Sequence, residues 1–192
     1  MNDSNSLSTT DSQYTILIVE DEPPISDIYA RWLDADYHVR IARTGEEAKS
    51  KLGDVDVVLL DRRLPDMAGE ELLPDIHERN ADCRVAIIST VEPDFDIIEL
   101  GFDLYIKKPI TNPQKLRSAV TTLVQRSQFD SKMQEFLSLA SKKATLEATK
   151  SSRSLARNTE YQTLHTRVQQ LREELQDVTI SLDDDDLRVS FR

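Results

Sequence analysis

Cysteine is almost missing from these 192 residues: Cys83 is the only one, which excludes an intramolecular disulfide and the cysteine-built zinc patterns. Histidine is scarce as well. His38, His77 and His165 are scattered and read as surface or boundary residues, not as a metal site, and Cys83 reads as an inert thiol. Glycine and proline number four and seven, and all of them precede residue 114; from Gln114 to Arg192 nothing interrupts a helix. No apolar run approaches the roughly 18–20 residues of a membrane span. The opening MNDSNSLSTTDSQ has neither a cationic start nor an apolar stretch, so no signal peptide is expected and a soluble, cytoplasmic protein is. Hydrophobic residues make up 39%, a low share for one well-buried core, so part of the chain is expected to be extended or peripheral.

Positive charge is also in deficit. Lys+Arg is 24 against 35 Asp+Glu, a net charge of −11, with 21 Asp, 14 Glu, 15 Arg and nine Lys. Such a surface disfavours nonspecific nucleic-acid binding by the whole molecule while leaving a local patch open. Its self-repulsion is weaker in strong salt, where the Debye length is about 3 Å at 1 M. The charge is uneven: residues 1–126 carry net −10 and residues 127–192 net −1.

Short apolar runs are present at Tyr14–Val19, Tyr37–Ala42, Val55–Leu60, Val85–Ser89 and Leu104–Ile106. Three of them (ILIV, VVLL, VAII) are nearly continuous, the pattern of strands buried on both faces of a parallel sheet. Helical segments separate them: Ile25–Leu33 with Trp32 in its packing face, Gly45–Leu52 with Thr44 and Glu47 as a capping box, Gly69–Glu78, and Asp94–Leu100. This alternation predicts an α/β fold, a five-stranded parallel doubly wound sheet of flavodoxin-like order. After it, a helix from 113 to about 150 would run on the order of 55 Å. Tyr161, Leu164, Val168, Leu171, Leu175 and Val178 form an a/d seam of about two and a half heptads. With Ser151–Asn158 as the linker, an all-α helical hairpin or its intermolecular equivalent, a homodimeric coiled coil, is expected. The expected division is a disordered lead at 1–13, a sheet domain at 14–126, a helical region at 127–180 and a loose acidic tail at 181–192.

In a doubly wound sheet, ligands bind at the carboxyl ends of the strands. There the first strand is followed by Glu20, Asp21 and Glu22, the third ends in Asp61, the fourth in Ser89 and Thr90, and the fifth is followed by Lys107, Lys108 and Pro109. Glu22 reads as a solvated turn residue and Lys107 as a surface lysine. Clustered carboxylates repel unless a cation joins them, and oxygen donors without His or Cys favour Mg²⁺. A carboxylate beside such an ion can act as nucleophile and become an aspartyl phosphate, while a lysine neutralises the transferring group.

Together, ILIVEDE, VVLLDRRLPDMAGEEL, AIIST and YIKKP resemble the receiver domain of two-component response regulators over about residues 14–126. The resemblance implies that Asp61 is the phosphoacceptor and that Mg²⁺ is held by Glu20, Asp21, Asp61 and the backbone carbonyl of Arg63. It implies that Ser89 is the switch hydroxyl, with Thr90 as the alternative, and that Lys108 contacts the phosphoryl group. Tyr105 is then the aromatic that changes rotamer, unless it is plain packing. The departures are Glu20 where Asp is commoner, Ser89 for Thr and Thr90 for a small Ala. Arg63 and Val91 occupy positions that tune dephosphorylation in the family. The implied partner is a sensor histidine kinase, and only self-catalysed phosphoryl transfer and dephosphorylation are expected. The region after 127 is similar to the HalX module of halophilic archaea, an appendage whose target is unknown. Two other readings compete. Lys142, Lys143, Lys150, Arg153 and Arg157 against Glu147 give +4 over 142–157, which suits a DNA-binding regulator, although no DNA-binding motif is evident. An aspartyl-phosphate-type phosphatase would want a D-x-D pattern, whereas Asp61 is followed by Arg62 and Arg63.

Overall fold

Side chains buried on both faces of one layer define the first part of the computed structural model, which describes residues 14–80, 82–92 and 100–181, with side chains as far as 176. The lead at 1–13, most of the helix expected at Asp94–Leu100 and the tail beyond 181 lie outside these described residues. Strands β1 (Thr15–Val19), β2 (His38–Ala42), β3 (Val57–Asp61), β4 (Arg84–Ser89) and β5 (Leu104–Lys107) form a parallel sheet in the order β2-β1-β3-β4-β5. Successive residues face opposite sides. Ile16, Ile18, Val57, Leu59, Ala86 and Ile88 pack with Tyr29 and Leu33 of α1 (Pro23–Leu33) and with Leu116, Val120 and Leu123 of α4 (Pro113–Thr149). Leu17, Val19, Val58, Leu60 and Val85 pack with Ala48 of α2 (Gly45–Lys51), with Leu72, and with Ile76 of α3 (Leu73–Arg79). Each fully buried Val, Leu or Ile contributes about 1.5–3 kcal/mol. Because the chain leaves β1 toward β2 and returns to β3 on its other side, the carboxyl ends of β1 and β3 border the point where the winding reverses.

Three local expectations need correction. Gly69–Leu72 is a 3₁₀ turn and the α-helix starts only at Leu73. Pro74 has no N–H to donate to the preceding turn, so that turn tightens. The capping box at α2 is half made: Thr44 accepts from the Glu47 N–H at 3.1 Å, but the Glu47 carboxylate receives the N–H of Arg43, at 2.7 Å, instead of that of Thr44. The linker is itself structured. Ser151 caps a short helix, α5 (Ser152–Arg157), and Asn158 accepts the Tyr161 N–H at 2.7 Å to start α6 (Thr159–Ser181).

The chain divides into two compact units, Met1–Val124 and Gln125–Arg192. In the second, α6 runs antiparallel to the later part of α4. Arg167 forks onto Glu135 with two bonds of 2.8 Å, Lys132 meets Glu174 at 2.8 Å, and the Tyr161 hydroxyl donates to Glu147 at 2.6 Å. Val168, Leu171 and Leu175 are buried in the seam. Tyr161 and Leu164 are only half-buried, and the side chain of Val178 lies outside the described ones.

Candidate functional site

Three carboxylates meet because two strand ends do. β1 and β3 are hydrogen-bonded neighbours, Glu20 follows the first directly and Asp61 closes the second. One oxygen from each of Glu20, Asp21 and Asp61 lies within 4.8 Å of the others. Glu20 and Asp61 are buried, 2% and 7% exposed, and Asp21 is more open. Lys108, just past β5, brings its Nζ to 2.5 Å from Asp61 Oδ2 and 2.7 Å from Glu20 Oε2. Burial raises the Glu20 carboxyl above its ordinary range even with Lys108 bound to it. Burial also opposes the charge on Lys108, but its bonds to Asp61 and Glu20 prevail and hold the ammonium above its ordinary range. Burial pushes the nearby Tyr29 phenol up to about 12, so it stays protonated.

Three carboxylates and one ammonium carry a formal −2 when all are ionised. The donors are all oxygen, with no histidine or cysteine in the cluster. Hard donors with an uncompensated double negative charge fit Mg²⁺.

The segment after Asp61 is tied back on itself. The Arg63 N–H donates to Asp61 Oδ1 at 3.0 Å, the Gly69 N–H donates to the Arg62 carbonyl at 2.8 Å, and Arg63 pairs with Ala68. A Cβ on Gly69 would collide with the Asp61 carbonyl oxygen and crowd Arg62 Cα, so only glycine fits this approach. Arg62 and Glu70 form a half-buried ion pair at 3.2 Å across the same turn.

Ser89, 1% exposed, ends β4, and its Oγ accepts the Val91 N–H at 3.1 Å. The Tyr105 hydroxyl donates to the Val91 carbonyl at 2.8 Å, with its ring turned inward beside Phe102. Val91 thus joins the Ser89 hydroxyl to the Tyr105 hydroxyl. Thr90 is exposed and, with Ile28, Tyr29, Trp32, Lys108 and Ile110, lines a separate cavity of about 590 Å³. The Lys108–Pro109 peptide is cis. Lys107, exposed, pairs with Glu92 and is turned away from the carboxylates. Cys83 is buried, and burial pushes its thiol up to about 12.

Residues 16–121 match the response regulator receiver domain model. The chain belongs to the response regulator family. Residues 125–191 match the HalX domain model. A Haloferax volcanii protein whose name proposes a transcriptional regulator is 42% identical over 139 residues, 71% of this chain and 24% of that one. A receiver domain protein of Methanospirillum hungatei, described as CheY-like, is 29% identical with a TM-score of 0.56, covering 60% of this chain and 96% of that one. The response regulator TrrA of Thermotoga maritima, solved in complex with Mg²⁺–BeF, is 28% identical with a TM-score of 0.51, covering 57% of this chain and 98% of that one. The chain spans about a quarter of the length of the first curated relatives it matches. Among the described residues, no helix is long and apolar enough to cross a membrane.

The structure brings Glu20, Asp21, Asp61 and Lys108 into one cluster and sets Ser89 at the end of β4, two strands from β1 and next to Asp61's own strand. Three contributors act in ways that the sequence does not mark. Gly69 was visible within the segment VVLLDRRLPDMAGEEL, but its close approach to the backbone was not. The Arg62–Glu70 pair left only an i,i+8 spacing, which no helix or strand period marks. Val91 stands at a position expected to tune dephosphorylation, but the link between Ser89 and Tyr105 runs through its backbone N–H and carbonyl, which residue type does not mark.

Proposed function

We propose that this response regulator is a phosphorylation switch, with Asp61 as the phosphoacceptor. The observation that carries this is the buried Asp61 carboxylate, clustered with two other acids and bonded to Lys108 at 2.5 Å. A phosphohistidine on a sensor kinase is the donor: the P–N bond breaks, a P–O bond to an Asp61 oxygen forms, and the imidazole takes up a proton. Glu20, Asp21, Asp61 and the Arg63 carbonyl would hold Mg²⁺, which when bound neutralises phosphoryl oxygens. Lys108 keeps its proton and gives Asp61 a fixed cation, placed to stay with the phosphoryl group. The turn closed by Gly69 holds the Asp61 backbone in one place. The protein acts as a switch and not as a turnover enzyme, with transfer and loss of its own phosphoryl group as its only chemistry.

Ser89 supplies the readout. Its hydroxyl proton is available to a phosphoryl oxygen, and drawing Oγ toward that oxygen takes the acceptor from the Val91 N–H. A shift of Val91 removes the acceptor of the Tyr105 hydroxyl, which frees that ring to turn. Thr90, exposed on the cavity side, is the less suited of the two hydroxyls. We assign residues 14–126 to the receiver and 127–180 to its helical output. A second reading of that output, control of transcription through DNA, is supported by the name of the Haloferax relative and by the basic hairpin tip.

Acetyl phosphate with Mg²⁺ tests the switch. The wild-type chain is expected to gain one phosphoryl group by intact-mass measurement, and Asp61→Asn none. Equal gain by the variant overturns the assignment.

A further inference from the structure

An acidic chain has gathered unopposed positive charge in one place. Residues 142–157 carry +4 while the whole chain carries −11, so everything else carries −15. In the structure these residues form the end of α4, the turn, and α5. Lys142, Lys150, Arg153 and Arg157 are exposed, and no carboxylate among the described residues pairs with them. The acid inside this stretch, Glu147, is already taken by Lys143 at 2.7 Å and by the Tyr161 hydroxyl at 2.6 Å. Glu160, in the first turn of α6, is the nearest other acid in the chain. Ser151, Ser152 and Ser154 lie between the cations, Asn158 directly follows the last of them, and all four are exposed.

What the tip lacks narrows the partner. The large exposed apolar side chains among the described residues are Ile28 and Leu137, and neither is in the tip. A protein interface wants aromatic or aliphatic anchors at its centre, and none is offered. Single-stranded nucleic acid wants an aromatic platform for stacked bases. Tyr161 is half-buried with its hydroxyl committed to Glu147, and it faces His165 at 6.2 Å. Separated cations with interspersed hydroxyls and amides match the phosphates of a duplex, which need charge and hydrogen-bond donors but no apolar contact. The acidic remainder repels the same polyanion and confines contact to the tip.

We propose that the hairpin tip binds duplex DNA through its phosphate backbone, without reading base sequence, by Lys142, Lys150, Arg153 and Arg157. This rests on the DNA reading of the helical output and is independent of chemistry at Asp61.

The test uses the full chain, a labelled random-sequence DNA duplex and fluorescence anisotropy from about 0.2 to about 1 M KCl. Four neutralised phosphates at about 0.9 each give a slope of log K against log[KCl] of about −3 to −4. Arg153→Gln/Arg157→Gln is expected to halve that slope and weaken binding about tenfold at the low-salt end, with helicity by circular dichroism unchanged. Arg31→Gln/Arg43→Gln, in the sheet unit, is expected to leave the slope alone. Duplex binding with a slope that the tip variant does not alter overturns the tip while leaving the DNA reading standing. No binding at about 0.2 M KCl, or capture of polyglutamate in place of the duplex, overturns both. Tighter binding to a single strand of the same sequence overturns the duplex assignment.

Discussion

In β1 and β3, Ile16–Val19 and Val57–Leu60 are each at most 1% exposed, whereas in α6 the buried side chains among those described are Val168, Leu171 and Leu175 alone. The sheet unit hides whole strands between two layers of helix. The helical unit hides one seam and relies on Arg167–Glu135, Lys132–Glu174 and Lys143–Glu147 along its flanks. Salt does not screen apolar burial, while exposed ion pairs weaken as ions screen them. The unit with the acidic cluster is therefore the rigid one, and the hairpin is the part that depends more on exposed ion pairs and so on ionic strength.

Breaking the rigid unit at its charged centre gives the largest expected effect. Lys108→Ala strands the Glu20 and Asp61 carboxylates in a buried site, and removing one partner of such a set costs about 3–5 kcal/mol. Denaturant titration at neutral pH should show that loss, with part of it recovered on adding Mg²⁺. An unchanged midpoint would mean the lysine is not holding these carboxylates.

Leu171→Ala should come next, at about 2–4 kcal/mol, because Leu171 is fully buried in the seam. The comparison predicts where the cost falls: hydrogen exchange should speed up in α6 and the later part of α4 and not in β1 or β3. Gly69→Ala should cost about 1–3 kcal/mol, since the new Cβ meets backbone that cannot yield easily. It should also slow phosphoryl uptake from acetyl phosphate, which separates a positional role for Gly69 from a merely structural one.

The smallest effect concerns pH. Glu135, Glu147 and Glu174 are held below the ordinary carboxylate range by hydrogen bonds to Arg167, to Lys143 and Tyr161, and to Lys132 respectively. A depressed carboxyl contributes stability that is complete above its unfolded value of 4.5 and is lost as pH falls through the lower folded value. Hairpin melting temperature should therefore drop on acidification below about 4.5, with a smaller drop in Arg167→Met and in about 1 M KCl. A flat acid limb at low salt would contradict the assigned role of these pairs.

Most of the sheet was legible because burial on both faces leaves unbroken apolar runs such as ILIV and VVLL, and parallel pairing then brings residues distant in sequence to one edge. That is why Glu20, Asp21, Asp61 and Lys108 could be set together from strand ends alone. Features that act through backbone escaped. The Gly69 approach, the Val91 link and the 3₁₀ turn before Pro74 depend on where carbonyls and N–H groups point, which residue type barely records. Ser151–Asn158 is expected only as a linker, because SSRSLARN continues no apolar seam. Ser151 and Asn158, both capping residues, carried the signal that a short helix lies between them.

Reduction of an acyl phosphate by borohydride turns the phosphorylated aspartate into homoserine and marks it in peptide mass spectra. After treatment with acetyl phosphate and Mg²⁺, homoserine should appear at position 61 and disappear when Mg²⁺ is chelated beforehand. Homoserine at another aspartate, or at 61 regardless of Mg²⁺, would contradict the acidic cluster as the seat of the chemistry.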